Sequence, residues 1–127
     1  MKNTEYQSNK QLGDRGELLA INYLKLKGYK ILERNFRCKF GEIDLIAKDK
    51  DVIVFVEVKT KRGIDFGLPE EMVNQRKRKK LIKLSQFYII EKELFNQPIR
   101  IDVVAIEMNK NGEKTKTKIR LIKNAVF

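Results

Sequence analysis

Five consecutive apolar residues, Val52-Ile53-Val54-Phe55-Val56, run directly into Glu57-Val58-Lys59. A run this short and this rich in β-branched residues reads as a strand, and successive side chains of a strand point to opposite faces. Unbroken apolar character therefore predicts cover on both faces of the sheet. That requirement selects an α/β class with a mixed β-sheet flanked by helices, in which the strand from Val52 to Lys59 sits centrally.

The flanking segments supply such layers. From Leu12 to Lys27 a helical stripe runs through Leu12, Gly16, Leu19/Ala20 and Tyr23/Leu24, broadened by Leu18, Ile21 and Leu26. Gly28 ends it. Strands are predicted at Tyr29–Phe36, at 41–47 (Gly-Glu-Ile-Asp-Leu-Ile-Ala) and at Val52–Lys59, with a polar turn at 48–51 between the last two. Residues 60–68 form a polar loop with Gly63 and Gly67. Pro69, followed by Glu70 and Glu71, marks the start of a long helix running to about Lys92, with Val73, Leu81, Leu84 and Tyr88 on its buried side. Pro98 precedes a fourth strand at 99–107, and Asn111-Gly112 signals a hairpin into a fifth near Thr115–Ile122. The order is α-β-β-β-α-β-β. Residues 1–10 are polar and aperiodic and are expected to be flexible; 11–127 is expected to be a single domain.

Composition narrows the chemistry. The 127 residues contain no histidine, which removes Ser-His-Asp and Cys-His catalysis and every histidine metal ligand. A single cysteine, Cys38, excludes an internal disulfide and a CxxC metal knuckle and fits a reducing, cytoplasmic setting. No apolar run approaches membrane-spanning length, so no membrane insertion is expected. Lysine and arginine number 28 against 17 aspartate and glutamate, a formal net charge of +11. Such a surface attracts polyanions, nucleic acid foremost.

Charged residues inside apolar strands are the strongest local signal, because desolvating an unpartnered charge is costly. Asp44 lies between Ile43 and Leu45, and Glu57 lies between Val56 and Val58. Glu57 and Lys59 share a strand face. If residues 49–52 form the turn, Lys48 pairs with Ile53 and Asp44 falls opposite Glu57. A turn at 49–50 makes the two acids diagonal neighbours, whereas a three-residue turn separates them. Two of the three simplest geometries thus unite the carboxylates. Adjacent carboxylates repel unless a cation stands between them, and oxygen donors without histidine or thiolate suit Mg²⁺ or Mn²⁺. Lys59 could then orient or deprotonate a water molecule, or neutralise a transition state. The competing readings are a structural ion-pair network and unrelated exposed residues at strand ends. Glu17 shares a helical face with Ile21 and Leu24 beside Gly16; it is either a site carboxylate or a marginal polar residue. Asp102, between Ile101 and Val103, is a further candidate acid or the structural partner of an arginine or lysine.

Arg76-Lys77-Arg78-Lys79-Lys80, with Lys83 close behind, make one helical turn strongly electropositive and oppose the helix dipole. Lys59, Lys61 and Arg62 extend this charge beyond the third strand, and Lys116, Lys118 and Arg120 alternate along the last. Tracks of this kind bind phosphates rather than read bases, which predicts low sequence specificity and steep salt dependence. A merely solvated basic face is the alternative. Phe66, in the 60–68 loop, is read as a loop anchor, with stacking on a base as the alternative, and Cys38 as structural or incidental.

Taken in order, these residues resemble the PD-(D/E)xK nuclease superfamily and, more closely, the bacterial YraN-like family, UPF0102, which is similar to archaeal Holliday junction resolvases. The resemblance rests on Gly13-Asp14-Arg15-Gly16-Glu17, Gly28-Tyr29, Arg34-Asn35-Phe36-Arg37, residues 41–47, Val54-Phe55-Val56-Glu57-Val58-Lys59, Gly67, Pro69, Val73, Lys77 and Ile101-Asp102-Val103-Val104. It implies a restriction-endonuclease-like, resolvase-like fold. It further implies Asp44 and Glu57 as ligands of Mg²⁺ or Mn²⁺, with the Val58 carbonyl as another donor, Lys59 as the catalytic lysine and Glu17 as a helix acid near the metal. The superfamily's usual proline before the first acid is replaced by Ile43. The implied activity is metal-dependent hydrolysis of DNA phosphodiesters, with branched DNA as the substrate class and a two-fold homodimer conditional on that substrate. Two alternatives remain: a non-catalytic nucleic-acid-binding module of the same fold, and an interaction protein with an RNA or ribosomal partner.

Overall fold

The computed structural model describes residues 9–62, 74–108 and 117–125. Helix α1 spans Asn9–Leu26, followed by strands β1 (Lys30–Cys38), β2 (Gly41–Asp49) and β3 (Val52–Arg62), helix α2 (Gln75–Glu91), and strands β4 (Ile99–Met108) and β5 (Lys118–Ile122). This is a mixed α/β arrangement in the expected order α-β-β-β-α-β-β. The five strands lie side by side in chain order, β1-β2-β3-β4-β5. Among them only β3 and β4 run parallel; the other three pairings are antiparallel. A parallel pair needs a crossover, and α2 lies in the connection between β3 and β4.

The apolar run of β3 is covered on both faces. Val54 and Val56 pack with Leu12, Ala20, Ile21 and Leu24 of α1. Ile53 and Phe55 pack with Leu81, Leu84 and Tyr88 of α2. Helix α1 stops where its sequence said it would. Gly28 takes φ 93, the Gly28 amide donates to the Lys25 carbonyl and the Tyr29 amide to that of Leu24. Its apolar stripe is narrower than expected: Leu18 is exposed, and Leu26 is 87% exposed. Both lie away from the sheet, since a helix packed on one layer buries only one stripe.

Two element boundaries differ from the sequence reading. Helix α1 begins at Asn9 rather than at Leu12; residues 1–8 lie outside the described residues. Helix α2 does not run from Pro69 to Lys92 in one piece. Asn74 is extended (φ −78, ψ 176) and its Oδ1 accepts from the Lys77 amide at 2.8 Å, an N-cap that fixes the start at Gln75. Gly63, Phe66, Gly67, Pro69, Val73, Asn111-Gly112 and Lys116 lie outside the described residues.

Asp102 is fully buried and belongs to a structural network. Its carboxylate accepts from Arg100 Nε (2.9 Å), Tyr29 Oη (3.0 Å) and the Asn124 amide (2.9 Å), while Arg100 Nη2 reaches Asp49 at 3.0 Å. The buried charge of Asp102 is thus paired, which resolves it as the mate of Arg100 rather than a site acid. Among the described residues no helix is long and apolar enough to cross a membrane.

Candidate active site

The β2–β3 hairpin sets the site. Lys48 pairs with Ile53 and Leu45 with Val56, the register of the first geometry considered from sequence. Asp49 also pairs with Val52, so the connection shrinks to Lys50-Asp51, and Lys50 takes φ 58 to make it. Regular pairing with β3 stops at Leu45. Ile43 packs on the α2 side and Leu45 on the α1 side, although strict alternation would give both the same face. The interruption falls at Asp44. Across from it on β1, between the paired residues Arg34 and Phe36, Asn35 adopts φ 52. Two neighbouring strands thus share one irregularity, which re-aims the acid between them.

The result differs from a simple cross-strand pair. Asp44 Oδ2 accepts from the Val58 amide at 2.8 Å, taking over a place that a main-chain carbonyl fills in a regular ladder. Asp44 lines a cleft of about 330 Å³ together with Leu12, Gly13, Glu17, Val58, Lys59 and Thr60. Glu57 is buried, 5% exposed, and does not line that cleft. Its Oε2 lies 3.0 Å from Lys77 Nζ of α2 and 4.0 Å from Lys59 Nζ. Asp44, bonded to the Val58 amide, and Glu57, one residue before it, are close enough to repel. Burial, then the charge of Glu57, pushes the Asp44 carboxyl up to about 7, against the opposing hydrogen bond from Val58.

Glu17 reaches the cleft because α1 approaches β3 closely at Gly16. A Cβ at that position would overlap the Thr60 hydroxyl. Asn35, with its amide turned to donate, spans Glu42 Oε2 (3.1 Å) and Glu17 Oε2 (3.3 Å). Burial pushes the Glu17 carboxyl up, with the Asn35 hydrogen bond opposing it.

As a cation site, the donors at hand are the Asp44 and Glu57 carboxylates and the Val58 carbonyl, all hard oxygens. Among the described residues no three carboxylates or thiols converge into a closed cage. Such a partial set fits Mg²⁺ or Mn²⁺, which keep several waters.

The basic residues differ in exposure. In α2, Arg76, Lys79, Lys80 and Lys83 are exposed, Lys77 and Arg78 half-buried. Lys61 is exposed near the end of β3, which Arg62 closes. Sequence reasoning missed the β1–β2 turn. Phe40 there packs edge-on against Phe87 of α2, with Lys39 and Lys83 ammonium groups 5.3 and 5.1 Å from its ring centre. A side chain at Gly41 (φ 133) would strike the Lys80 stem. The turn thus joins α2 in one basic surface. Its signal in the sequence was Lys39-Phe40-Gly41 itself, legible only once α2 is known to pass over it. Lys77, read as part of a charge run and as one of the residues carrying the resemblance but given no place beside the acids, turns out to touch Glu57.

Comparison with known proteins adds the following. The model of the uncharacterised protein family UPF0102 matches residues 16–106. A UPF0102 protein of Clostridium botulinum (strain 657, Type Ba4) is 51% identical over 118 residues, covering 92% of this chain and 94% of the relative. One from Clostridioides difficile (strain 630) is 54% identical over 99 residues, covering 78% of this chain and 87% of the relative. Among solved structures, Pyrococcus furiosus SfsA in complex with Ca²⁺ aligns with a TM-score of 0.43 at 18% identity, over 94% of this chain and 65% of that one. So loose a likeness leaves the site to stand on its own geometry.

Proposed function

The chain belongs to the UPF0102 family, and from that premise we propose that it is a metal-dependent endonuclease hydrolysing DNA phosphodiester bonds, branched or otherwise structured DNA being the favoured substrate. The observation that carries this reading is the bracketing of one peptide by acid, acid and lysine. Asp44 holds the Val58 amide and Lys59 follows it, both lining an open cleft, and buried Glu57 precedes it. Two carboxylates kept this close, one with its carboxyl raised to about 7, are poorly placed for stability alone.

Asp44, Glu57 and the Val58 carbonyl would hold Mg²⁺ or Mn²⁺, which when bound polarises the phosphoryl group and lowers the pKa of bound water. Lys59 faces the cleft, where it would orient the attacking water and offset charge gathering on the phosphoryl oxygens. Glu17 closes the α1 side. Arg76, Lys79, Lys80 and Lys83 would grip the backbone, and Lys61 would extend the grip past β3.

A second reading, a nucleic-acid-binding module that does not cut, draws on the ion pair between Glu57 and Lys77, which already balances one acid without a metal. Both readings are tested by cleavage of labelled duplex, single-stranded, flap and four-way-junction DNA with Mg²⁺, Mn²⁺ or EDTA. The nuclease reading expects metal-dependent cutting by the wild type, abolished in Glu57→Gln and Lys59→Ala. Salt-sensitive binding without cutting would transfer the assignment to the module. Equal cutting by the variants would refute these site residues.

A further inference from the structure

Glu57 presents a problem that a bound metal would solve only part of the time. A carboxylate whose side chain is 7% exposed needs a positive partner whenever the protein is folded, with or without a divalent cation. Lys77 meets that need from α2, with Nζ 3.0 Å from Glu57 Oε2; Lys59 stands farther off at 4.0 Å. An ammonium at that distance covers one of the two oxygens through which Glu57 could hold a cation, and its charge repels the cation from the other. Lys77 is not locked there, because its side chain is 35% exposed and flexible. It also sits in the first turn of the helix whose exposed Arg76, Lys79 and Lys80 draw phosphates toward it.

We propose that Lys77 is the resident counter-cation of Glu57, and that its transfer to a nucleic-acid phosphate opens Glu57 to a divalent cation, so that nucleic acid and metal bind with positive coupling. This inference rests on the reading of Asp44 and Glu57 as metal ligands. Phosphate and Glu57 compete for one ammonium; when phosphate takes it, Glu57 is left needing a cation. By linkage, metal on Glu57 equally releases Lys77 to hold the nucleic acid. A free protein would then keep its metal site closed until a substrate backbone lies on α2.

The test is Mn²⁺ binding to the full chain, read from the paramagnetic resonance of free Mn²⁺, with and without a hydrolysis-resistant phosphorothioate duplex. Lys77→Gln should bind Mn²⁺ about tenfold more tightly than wild type in the absence of duplex, and the duplex should tighten it further by much less than it tightens wild type. Lys77→Arg, which keeps the charge, should behave as wild type, and Lys25→Gln, an exposed lysine in the last turn of α1, should leave metal affinity in the free protein unchanged. Thermal melts of the two Lys77 variants confirm that folded protein is compared. Unchanged or weaker Mn²⁺ affinity in Lys77→Gln, with binding still lost in Glu57→Gln, would overturn the counter-cation role and leave the metal site standing. Mn²⁺ binding that survives Glu57→Gln, or that no variant shows even with duplex, would overturn both.

Discussion

Replacing Asp44 by asparagine should stabilise the protein, by an amount that grows as the pH rises above the ordinary carboxylate value of 3.8 and levels off above about 7. The carboxyl is raised from its ordinary 3.8 to about 7, chiefly by burial and then by the charge of Glu57. A folded-state value above the unfolded one means that the folded chain keeps a proton the unfolded chain has released. The stability contributed by that proton is whole below 3.8 and is lost as the pH climbs through about 7. Across the whole span the shift corresponds to about 4 kcal/mol, and between about pH 5.5 and about pH 8.5 the wild type should lose about 2 kcal/mol from this group alone. Asparagine keeps an oxygen for the Val58 amide and never ionises, so the variant escapes that loss. Urea denaturation in EDTA at the two pH values reads the difference directly. A gap between variant and wild type that stays constant, or narrows as the pH rises, would show that Asp44 titrates as an ordinary carboxyl and would refute the account of its desolvation.

Three further outcomes follow from the same geometry. Gly16→Ala should cost about 1–3 kcal/mol, since the new methyl overlaps Thr60, and Thr60→Ala should recover part of it in a double-mutant cycle read by urea unfolding. Arg100→Ala, which strips fully buried Asp102 of its charge partner, should cost about 3–5 kcal/mol by the same measurement. Lys80→Gln with Lys83→Gln should weaken binding to all DNA sequences alike and reduce the slope of log affinity against log salt by about 0.9 for each phosphate no longer neutralised, as followed by fluorescence anisotropy.

Much of the fold was legible because β3 carries it. The run Val52–Val56 demanded cover on both faces, and α1 and α2 supply it. Gly28 and the turn near Lys50 were equally plain, since each depends on local backbone chemistry. Strand order was not legible, because hydrophobic pattern says which face is buried but not which neighbour is bonded. The start of α2 was misread at Pro69 because proline and two acids are a generic signal, whereas the cap that fixes Gln75 is one hydrogen bond from Asn74. At the site, hairpin arithmetic found the register of Lys48 and Ile53 but assumed unbroken alternation. The paired irregularity at Asn35 and Asp44 breaks it, and nothing in either strand's local pattern announces a distortion shared between them. Lys77 was hidden for a different reason. In a run of five cations, only the rotation of a helix decides which one meets an acid.

The order of the strands also bears on how the molecule assembles. Because β1, β2 and β3 are joined by short turns and lie next to one another, they can pair early, when only local contacts are cheap in chain entropy. That meander already contains Asp44 and Glu57. Lys77 arrives only with the long crossover that brings β4 alongside β3. Where that meander pairs first, two like charges meet before Lys77 is in place, and refolding followed by stopped-flow should then slow as the pH rises through the titration of Asp44.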